Sequence, residues 1–179
     1  MPAYIKKITR LMDYKEFSNA ILELSEDRQA LLSILFFAGC RVSEALALTS
    51  NDISCTGDTI FIQFFRLKGS KQTDPQELPR ADALLWLCKQ ICFSCSRPTS
   101  EQEGRLFSFT RMTAYRTVKK VFSDLYPHYF RMNRVTDSLK KFDAATVCNV
   151  YGMNLNSINH YIGKVDIKRV GVALREELG

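Results

Sequence analysis

One strand-like stretch stands among repeated helical patterns in this chain, and it limits the folds that the chain can adopt. The stretch TIFIQFFRL, residues 59–67, is β-branched and aromatic, which favours a strand. It is followed by KGSKQTDPQELP, which is rich in turn residues and includes a short return strand at Glu77–Pro79. The residues therefore predict one hairpin, with Lys68 near its turn.

The rest of the chain shows the periodicity of helices. Asp13 is placed to cap YKEFSNAILEL, and Ser25 precedes EDRQALLSILFFAG, whose acidic first turn suits the helix dipole. Gly39 breaks that pattern before RVSEALAL. Further helical patterns are ADALLWLCKQICF, MTAYRTVKKVFSDL, MNRVTDSLKKF, AATVCNVY, LNSINHY and VDIKRVGVALREEL. We therefore expect a mostly helical domain that carries one small sheet.

Length and composition are those of one globular domain. The chain has 179 residues, of which 46% are hydrophobic and 25% charged, and this excludes a disordered or collagenous chain. We expect a single domain over residues 1–179, with residues 1–12 as a linker-like segment. No apolar run approaches the roughly 20 residues of a membrane helix, and no secretory signal opens the chain. We therefore expect an intracellular protein without membrane association.

Six cysteines raise the question of a metal site or disulfides. Cys88, Cys92 and Cys95 have the spacing of one helix stripe, and only Cys92 and Cys95 form a CxxC pair. A zinc site needs a fourth donor and usually a knuckle at each end. We therefore expect no metal, and buried thiols that act as small hydrophobic side chains. Without a secretion signal, disulfides are not expected either.

Positive charge is concentrated in one segment. The formal net charge is +6, and residues 105–141 contain nine basic residues against two acidic ones. Such a segment is typical of a face that follows a phosphate backbone, and equally of a solvated helix surface. Together with the hairpin, it supplies the candidate DNA contacts Lys71, Arg111, Arg116, Lys119, Lys120 and Arg134.

Four blocks of sequence, in order, resemble the catalytic domain of the tyrosine recombinases, the lambda integrase family. AGCRVSEALALTSNDI resembles the first block and places Arg41 as the first catalytic arginine. The Lys-Gly-x-Lys turn contains Lys68, and HYFR gives His128 and Arg131 as the second block. DAATVCNVYGMNLNSINHYI resembles the third block, with Tyr161 as the nucleophile. The resemblance covers nearly the whole chain, and the order of the blocks makes it specific.

The resemblance implies an α+β fold that is mostly helical, with a small three-stranded antiparallel sheet at its edge. It implies an enzyme that cuts one DNA strand, holds it as a 3′-phosphotyrosyl link at Tyr161, and rejoins it to a new 5′ hydroxyl. Arg41 and Arg131 would clamp the scissile phosphate, because a guanidinium donates two parallel hydrogen bonds to phosphate and stays charged. Lys68 would protonate the leaving oxygen, and His128 would take the proton of Tyr161. Glu44 and Met153 would support the pocket.

Double-stranded DNA is the expected partner, bound by a homotetramer of chains that are monomers in free solution. No metal or other cofactor is expected, because the phosphotyrosine conserves the energy of the broken bond. We expect the amino-terminal DNA-clamping domain that is usual in the family to be missing here, either because the chain is a fragment of a longer recombinase or because it is a minimal recombinase. We expect the protein to be cytoplasmic or nucleoid-associated.

Several alternatives stay open. Met153 stands where the family usually has histidine or tryptophan, and a thioether cannot donate a strong hydrogen bond to phosphate. A competing alignment takes Gly163 as the third-block glycine, with Lys140 or Lys141, Lys164 and Ala173 in the catalytic places, and would give an inactive protein. The alternatives are therefore an inactive DNA-binding protein on the same fold, or a related phosphotyrosyl enzyme such as a type IB topoisomerase, a telomere resolvase or a relaxase.

Overall fold

The computed structural model of the chain describes residues 11–66, 72–95 and 104–162, and all structural statements refer to these residues. They form eight helices and three strands. The helices are α1 Tyr14–Ile21, α2 Glu26–Ala38, α3 Val42–Ala45, α4 Leu85–Cys95, α5 Arg111–Val121, α6 Pro127–Ser138, α7 Ala144–Tyr151 and α8 Leu155–Ile162, and the strands are β1 Ile53–Thr56, β2 Thr59–Ile62 and β3 Gln76–Pro79. Short 3-10 turns lie at Ser50–Asp52 and Asp82–Leu84.

Side-chain caps fix where several helices begin. The Asp13 carboxylate accepts a hydrogen bond from the Glu16 backbone N–H at 2.8 Å, as the sequence predicts. The Thr110 hydroxyl and the Asp143 carboxylate cap α5 and α7 in the same way. Ser25 precedes α2 but makes no side-chain cap bond to the backbone. The N-terminal ends of these helices are therefore largely determined by local sequence.

The main core is built around α2. Residues Ala30 to Leu35 of α2 are all buried, so this helix is surrounded by protein. Phe17 of α1 stacks on Phe36 with ring centroids 4.2 Å apart and meets the edge of Phe130 of α6 at 5.9 Å. A second, smaller cluster joins α6, α7 and α8 through Val135, Val147, Cys148, Tyr151 and Ile158. The last helices are thereby packed onto α6.

The three strands form one antiparallel sheet in the order β1-β2-β3. Ile53 pairs with Ile62, and Ile60 pairs with Leu78, so these apolar side chains share the buried side of the sheet. The mostly helical fold with a three-stranded antiparallel sheet is confirmed. The strand patterns of the sequence had predicted only two strands, because β1 reads ISCT and three of its four residues are exposed. Strand β2 also ends at Ile62, earlier than its apolar sequence predicts.

The cysteines whose side chains the structure describes differ in exposure. Cys40 and Cys148 are buried, as expected for thiols that pack as small hydrophobic side chains. Cys55 of β1 is exposed, so the expectation of buried thiols is wrong for it, and its Sγ lies 2.7 Å from that of Cys88 on α4. Among the described residues no group of three or more histidine, cysteine or acidic side chains is arranged to hold a metal ion.

None of the described helices is long and apolar enough to cross a bilayer.

Gly39 closes α2 in a conformation that other residues rarely adopt. Its φ is +56°, and its N–H donates to the Leu35 carbonyl, which ends the helix in the left-handed region. A Cβ at this position would lie 3.0 Å from the Cβ of Arg134 and 3.1 Å from a ring carbon of Tyr151. Gly39 is therefore required for both the backbone turn and the close approach of α6 and α7.

We predict that Gly39→Ala lowers the free energy of unfolding by about 2–3 kcal/mol, because the left-handed strain and the crowding add. Gly57→Ala is the matched control, since Gly57 has the same φ of +56° with no atom within 4 Å of an added Cβ. That variant should lose only about 1 kcal/mol. Urea unfolding of the three proteins measures both values. If Gly39→Ala and Gly57→Ala lose the same free energy of unfolding, crowding by α6 and α7 does not contribute to the effect at Gly39.

Candidate functional site

The Arg131 side chain is the centre of the candidate site. It projects from the second turn of α6 and is only 2% exposed. Its Nη1 donates to the Gly39 carbonyl at 2.9 Å and its Nη2 to the Tyr151 carbonyl at 3.0 Å. Both carbonyls lie at helix C-terminal ends, which favour a cation. One guanidinium thus holds the ends of α2 and α7 together beside α6.

Arg41 lies next to this group, at the start of α3. The Glu44 carboxylate accepts from the Arg41 backbone N–H at 2.9 Å and from Arg41 Nη1 at 2.6 Å. Arg41 and Glu44 thus form an ion pair three residues apart in sequence. The Arg41 side chain is about 30% exposed, whereas that of Glu44 is fully buried. Arg41 is therefore oriented by a buried carboxylate while part of its side chain still reaches solvent.

Glu44 also pairs with an arginine that the sequence analysis did not single out. Nη1 of Arg66 lies 3.1 Å from the second carboxylate oxygen, and both side chains are fully buried. Burial alone would raise the pKa of Glu44, but the hydrogen bonds from Arg41 and the charges of Arg66 and Arg41 outweigh it and hold that pKa below its ordinary value. A charged residue at the end of an apolar strand stretch, FIQFFRL, was the signal that could have identified Arg66.

His128 stands one helical turn before Arg131, in the first turn of α6, which begins at Pro127. Its side chain reaches the surface, yet its surroundings are partly desolvated. This desolvation, with the positive charges of Arg131 and Arg41, lowers the pKa of His128 below 6.5. The imidazole is therefore mainly neutral at pH 7 and can accept a proton.

Tyr161 lies near Arg131 on the next helix but one, α8. Burial lowers the pKa of Arg131, and the ionised form of the Tyr161 phenol would act on it in the opposite direction, so the two groups lie within electrostatic range of each other. Tyr161 is half-buried and packs on the small α6–α8 cluster together with Met153. The fold thus brings Arg41, His128, Arg131 and Tyr161 into one neighbourhood.

Tyr151 has a different environment from Tyr161. It is 4% exposed, and its hydroxyl lies 2.9 Å from the Ser138 hydroxyl. Its ring is 5.9 Å from the Arg131 guanidinium. Tyr151 is therefore a core residue that supports Arg131, whereas Tyr161 keeps some contact with solvent.

Other positions named from the sequence fall in three places. Lys68, Lys71, Gly163, Lys164 and Ala173 lie outside the described residues. Lys140 and Lys141, which the competing alignment uses, are exposed beyond the end of α6, and Lys141 pairs with Asp137 at 2.9 Å. Arg134 lies 3.8 Å from the same carboxylate and packs beside Gly39. Arg134 is therefore separate from the basic residues of α5.

Most of the basic residues of α5 lie on the side of the helix that faces away from the core. Ala114, Thr117 and Val118 form its buried side. The opposite side carries Arg116, Lys119 and Lys120, with Met112 and Tyr115 exposed beside them, and Arg111 is exposed at the first position of the helix. Lys119 donates to the Ser123 carbonyl at 2.9 Å, so its ammonium is partly engaged. The side formed by these basic residues is called the α5 basic face below.

Known structures share this fold. The chain matches the XerH site-specific recombinase bound to difH substrate with a TM-score of 0.70 and 21% identity, over 97% of this chain and 56% of that one. It matches the XerA recombinase at 0.62 and 18%, over 99% and 65%. It matches the Tn1549 transposon integrase in complex with transposon right end DNA at 0.63 and 12%, over 98% and 68%. No protein-family model and no curated relative matches the sequence.

These likenesses establish the fold: the chain has the fold of a tyrosine recombinase catalytic domain, as its sequence blocks suggest. The chain spans just over half the length of the XerH recombinase.

We predict that Glu44→Gln lowers the free energy of unfolding by about 3 kcal/mol at pH 7, because it leaves Arg66 as an unpaired buried charge. The pKa of Glu44 is lower in the folded chain than its ordinary value of 4.5. Its ionisation therefore stabilises the fold above pH 4.5, and this contribution is lost as the pH falls through the folded-state pKa. Unfolding measured from pH 7 to pH 3 should show the two proteins converging at low pH. A difference in the free energy of unfolding that stays constant from pH 7 to pH 3 would contradict a stabilising role for the ionised Glu44 carboxylate.

Proposed function

We propose that the chain is a DNA-cleaving and rejoining domain that works through a 3′-phosphotyrosyl intermediate at Tyr161. The observation that carries the proposal is the neighbourhood of Arg41, His128, Arg131 and Tyr161: two cations, a neutral imidazole and a phenol. Displacement at a phosphodiester without a metal needs a nucleophile, a base for it and cations on the non-bridging oxygens. These four side chains provide all of them.

Each step of the reaction can be assigned to a side chain. His128 accepts the phenolic proton of Tyr161, and the phenolic oxygen attacks the phosphorus. Arg41 and Arg131 donate to the non-bridging oxygens as their charge rises; loss of one such donor typically costs about 3–4 kcal/mol of barrier. The bond to the 5′ oxygen breaks, and Lys68 supplies the proton that makes it a hydroxyl. Attack by a 5′ hydroxyl on the phosphotyrosine reverses these transfers and frees Tyr161.

The proposed partner is double-stranded DNA, and the proposed working form is a homotetramer on it, with residues 1–179 as a single catalytic domain. The XerH recombinase is described bound to difH substrate, and the Tn1549 integrase in complex with transposon DNA. The α5 basic face offers this chain an exposed cationic surface for a phosphate backbone. We also propose that the protein acts where cellular DNA lies, in the cytoplasm or nucleoid.

One observation favours a second candidate, a DNA-binding protein on this fold that does not cut. Met153 is half-buried and packs on the same apolar cluster as Tyr161. A thioether there adds packing for α8 but no strong hydrogen bond to phosphate. Transition-state stabilisation would then rest on the two arginines and Lys68. Formation of a covalent protein–DNA product separates the two candidates.

We predict that Tyr161→Phe forms no covalent adduct with a nicked duplex. In such a substrate the short strand released by cleavage diffuses away, so the adduct of an active protein accumulates. Only the phenolic oxygen is removed, so the affinity for duplex DNA should stay within about tenfold of the wild type. Denaturing gels measure the adduct, and fluorescence anisotropy measures binding.

Tyr151→Phe is the control, because it removes a hydroxyl that is hydrogen-bonded to Ser138 in the core. This variant should still form the adduct. If Tyr151→Phe abolishes the adduct and Tyr161→Phe retains it, the assignment of the nucleophile is wrong.

A further prediction concerns the salt dependence of DNA binding. Each neutralised phosphate contributes about −0.9 to the slope of log K against log salt concentration. The double variant Arg116→Gln with Lys120→Gln should therefore make the slope less steep by up to about two, equally for unrelated DNA sequences. Lys15→Gln with Lys89→Gln removes the same charge from α1 and α4 and should leave the slope unchanged. The same change in both double variants would show that the α5 basic face has no special role.

A further inference from the structure

We propose that Arg66 is a positioning residue for the proposed strand cleavage: it holds the base of the β2–β3 hairpin against Glu44 and the end of α7. This inference rests on the proposed function. Arg66 follows β2 and stands two residues before Lys68 in the sequence. The residue is 3% exposed, and its side chain donates to Glu44, Val150 and Thr73, so its effect on the reaction passes through the residues that it contacts.

Each polar part of the Arg66 side chain has a partner from a different part of the fold. Nη1 pairs with Glu44 of α3 at 3.1 Å, Nη2 donates to the Val150 carbonyl of α7 at 3.2 Å, and Nε donates to the Thr73 hydroxyl at 3.3 Å. The guanidinium also lies 5.0 Å from the Phe64 ring. A residue that is 3% exposed thus connects three segments that are far apart in sequence.

The backbone of Arg66 joins the two sides of the hairpin. Its N–H donates to the Gln72 side-chain oxygen, and its carbonyl accepts from the Gln72 side-chain nitrogen, each at 3.2 Å. The residues between Arg66 and Gln72 include Lys68 and Lys71. Arg66 therefore pairs with Glu44 through its guanidinium and, two residues before Lys68, bonds to the other side of the hairpin through its backbone.

The end of α7 is held by two arginines on consecutive carbonyls. Arg66 donates to the carbonyl of Val150, and Arg131 donates to that of Tyr151. The chain then turns at Gly152, whose φ is +58°, and enters α8, which carries Tyr161. Arg66 and Arg131 therefore fix the point from which the nucleophile's helix starts.

Through Glu44, Arg66 also affects the orientation of the Arg41 guanidinium. Oε1 accepts from the Arg41 guanidinium, whereas Oε2 accepts from the Arg41 backbone N–H and pairs with the Arg66 guanidinium. Without Arg66, Oε2 would have no guanidinium partner, and a bidentate pair with the Arg41 guanidinium would compete with phosphate for it. A buried charge pair is weak evidence for a stability role, since apolar replacements of such pairs are often neutral. Orientation of Arg41, the hairpin and α7 together is the role that its contacts support.

The test compares Arg66→Met and Arg66→Lys with the wild type in single-turnover adduct formation on the nicked duplex. Arg66→Met should slow adduct formation by about ten- to a hundredfold, because small misplacements of reacting groups have effects of that size. Its affinity for the same DNA should stay within about threefold of wild type. Arg66→Lys should be intermediate, because an ammonium can pair with Glu44 but lacks the planar fork that reaches Val150 and Thr73.

Arg80→Met is the matched control. The Arg80 guanidinium also donates to a backbone carbonyl of the sheet region, that of Gly57 at 3.0 Å, but it is exposed. Its adduct formation should match the wild type. If folded Arg66→Met forms the adduct as fast as the wild type, the inference is overturned. It is also overturned if Arg80→Met slows adduct formation as much as Arg66→Met does.

Hydrogen exchange separates failure of this inference from failure of the proposed function. If the wild type forms no adduct, the proposed function fails, and exchange at residues 72–76 and 150–153 then tests Arg66 alone. Exchange in both segments should rise in Arg66→Met and stay unchanged in Arg80→Met. Unchanged exchange in Arg66→Met would overturn the inference. A rise throughout the chain would also overturn it, because it would show a general loss of stability.

Discussion

The hydrogen bonds from the buried Arg131 guanidinium to the Gly39 and Tyr151 carbonyls are the interaction on which the rest of the structure depends. They join three helices that are separated in sequence, and they act where two of them end. Without a cation at this point, two C-terminal carbonyls would lie in the protein interior without their donor. The Tyr161 phenol lies within electrostatic range of the same guanidinium, so this contact of the fold also belongs to the candidate site.

A charge in the interior requires a counter-charge, and Glu44 provides it. Its carboxylate meets two arginines and lies close enough to Cys40 to affect that thiol. Burial, followed by the charge of Glu44, raises the pKa of Cys40 to about 12, which keeps the thiol protonated and unreactive beside Arg41. The site is therefore a cationic cluster, three arginines around one carboxylate, inside an apolar shell. Such a cluster has its donors in place before a phosphate arrives.

Local patterns predicted the elements with strong periodicity and clear caps. AATVCNVY coincides with α7, and Asp13 caps α1 as expected. Strand β1 was missed because ISCT has no marked alternation, and a short exposed strand is defined by its neighbour β2 more than by its own residues. Arg66 was missed for a related reason: its importance arises from Glu44 and Val150, which are 22 and 84 residues away in sequence. Long-range pairing of buried charges leaves no local pattern in the sequence. The ordered blocks around Arg41, His128, Arg131 and Tyr161 are local patterns and can be recognised there.

The central proposal is that the phenol of Tyr161 becomes covalently joined to DNA beside Arg131. The most direct measurement is to incubate the wild-type chain with a nicked duplex, digest the product with protease and nuclease, and locate the nucleotide-bearing peptide by mass spectrometry. We predict a single modified peptide that contains Tyr161, with a 3′-phosphate link and a free 5′ hydroxyl on the released strand. A nucleotide on any other residue, or DNA bound tightly but recovered uncut, would contradict it.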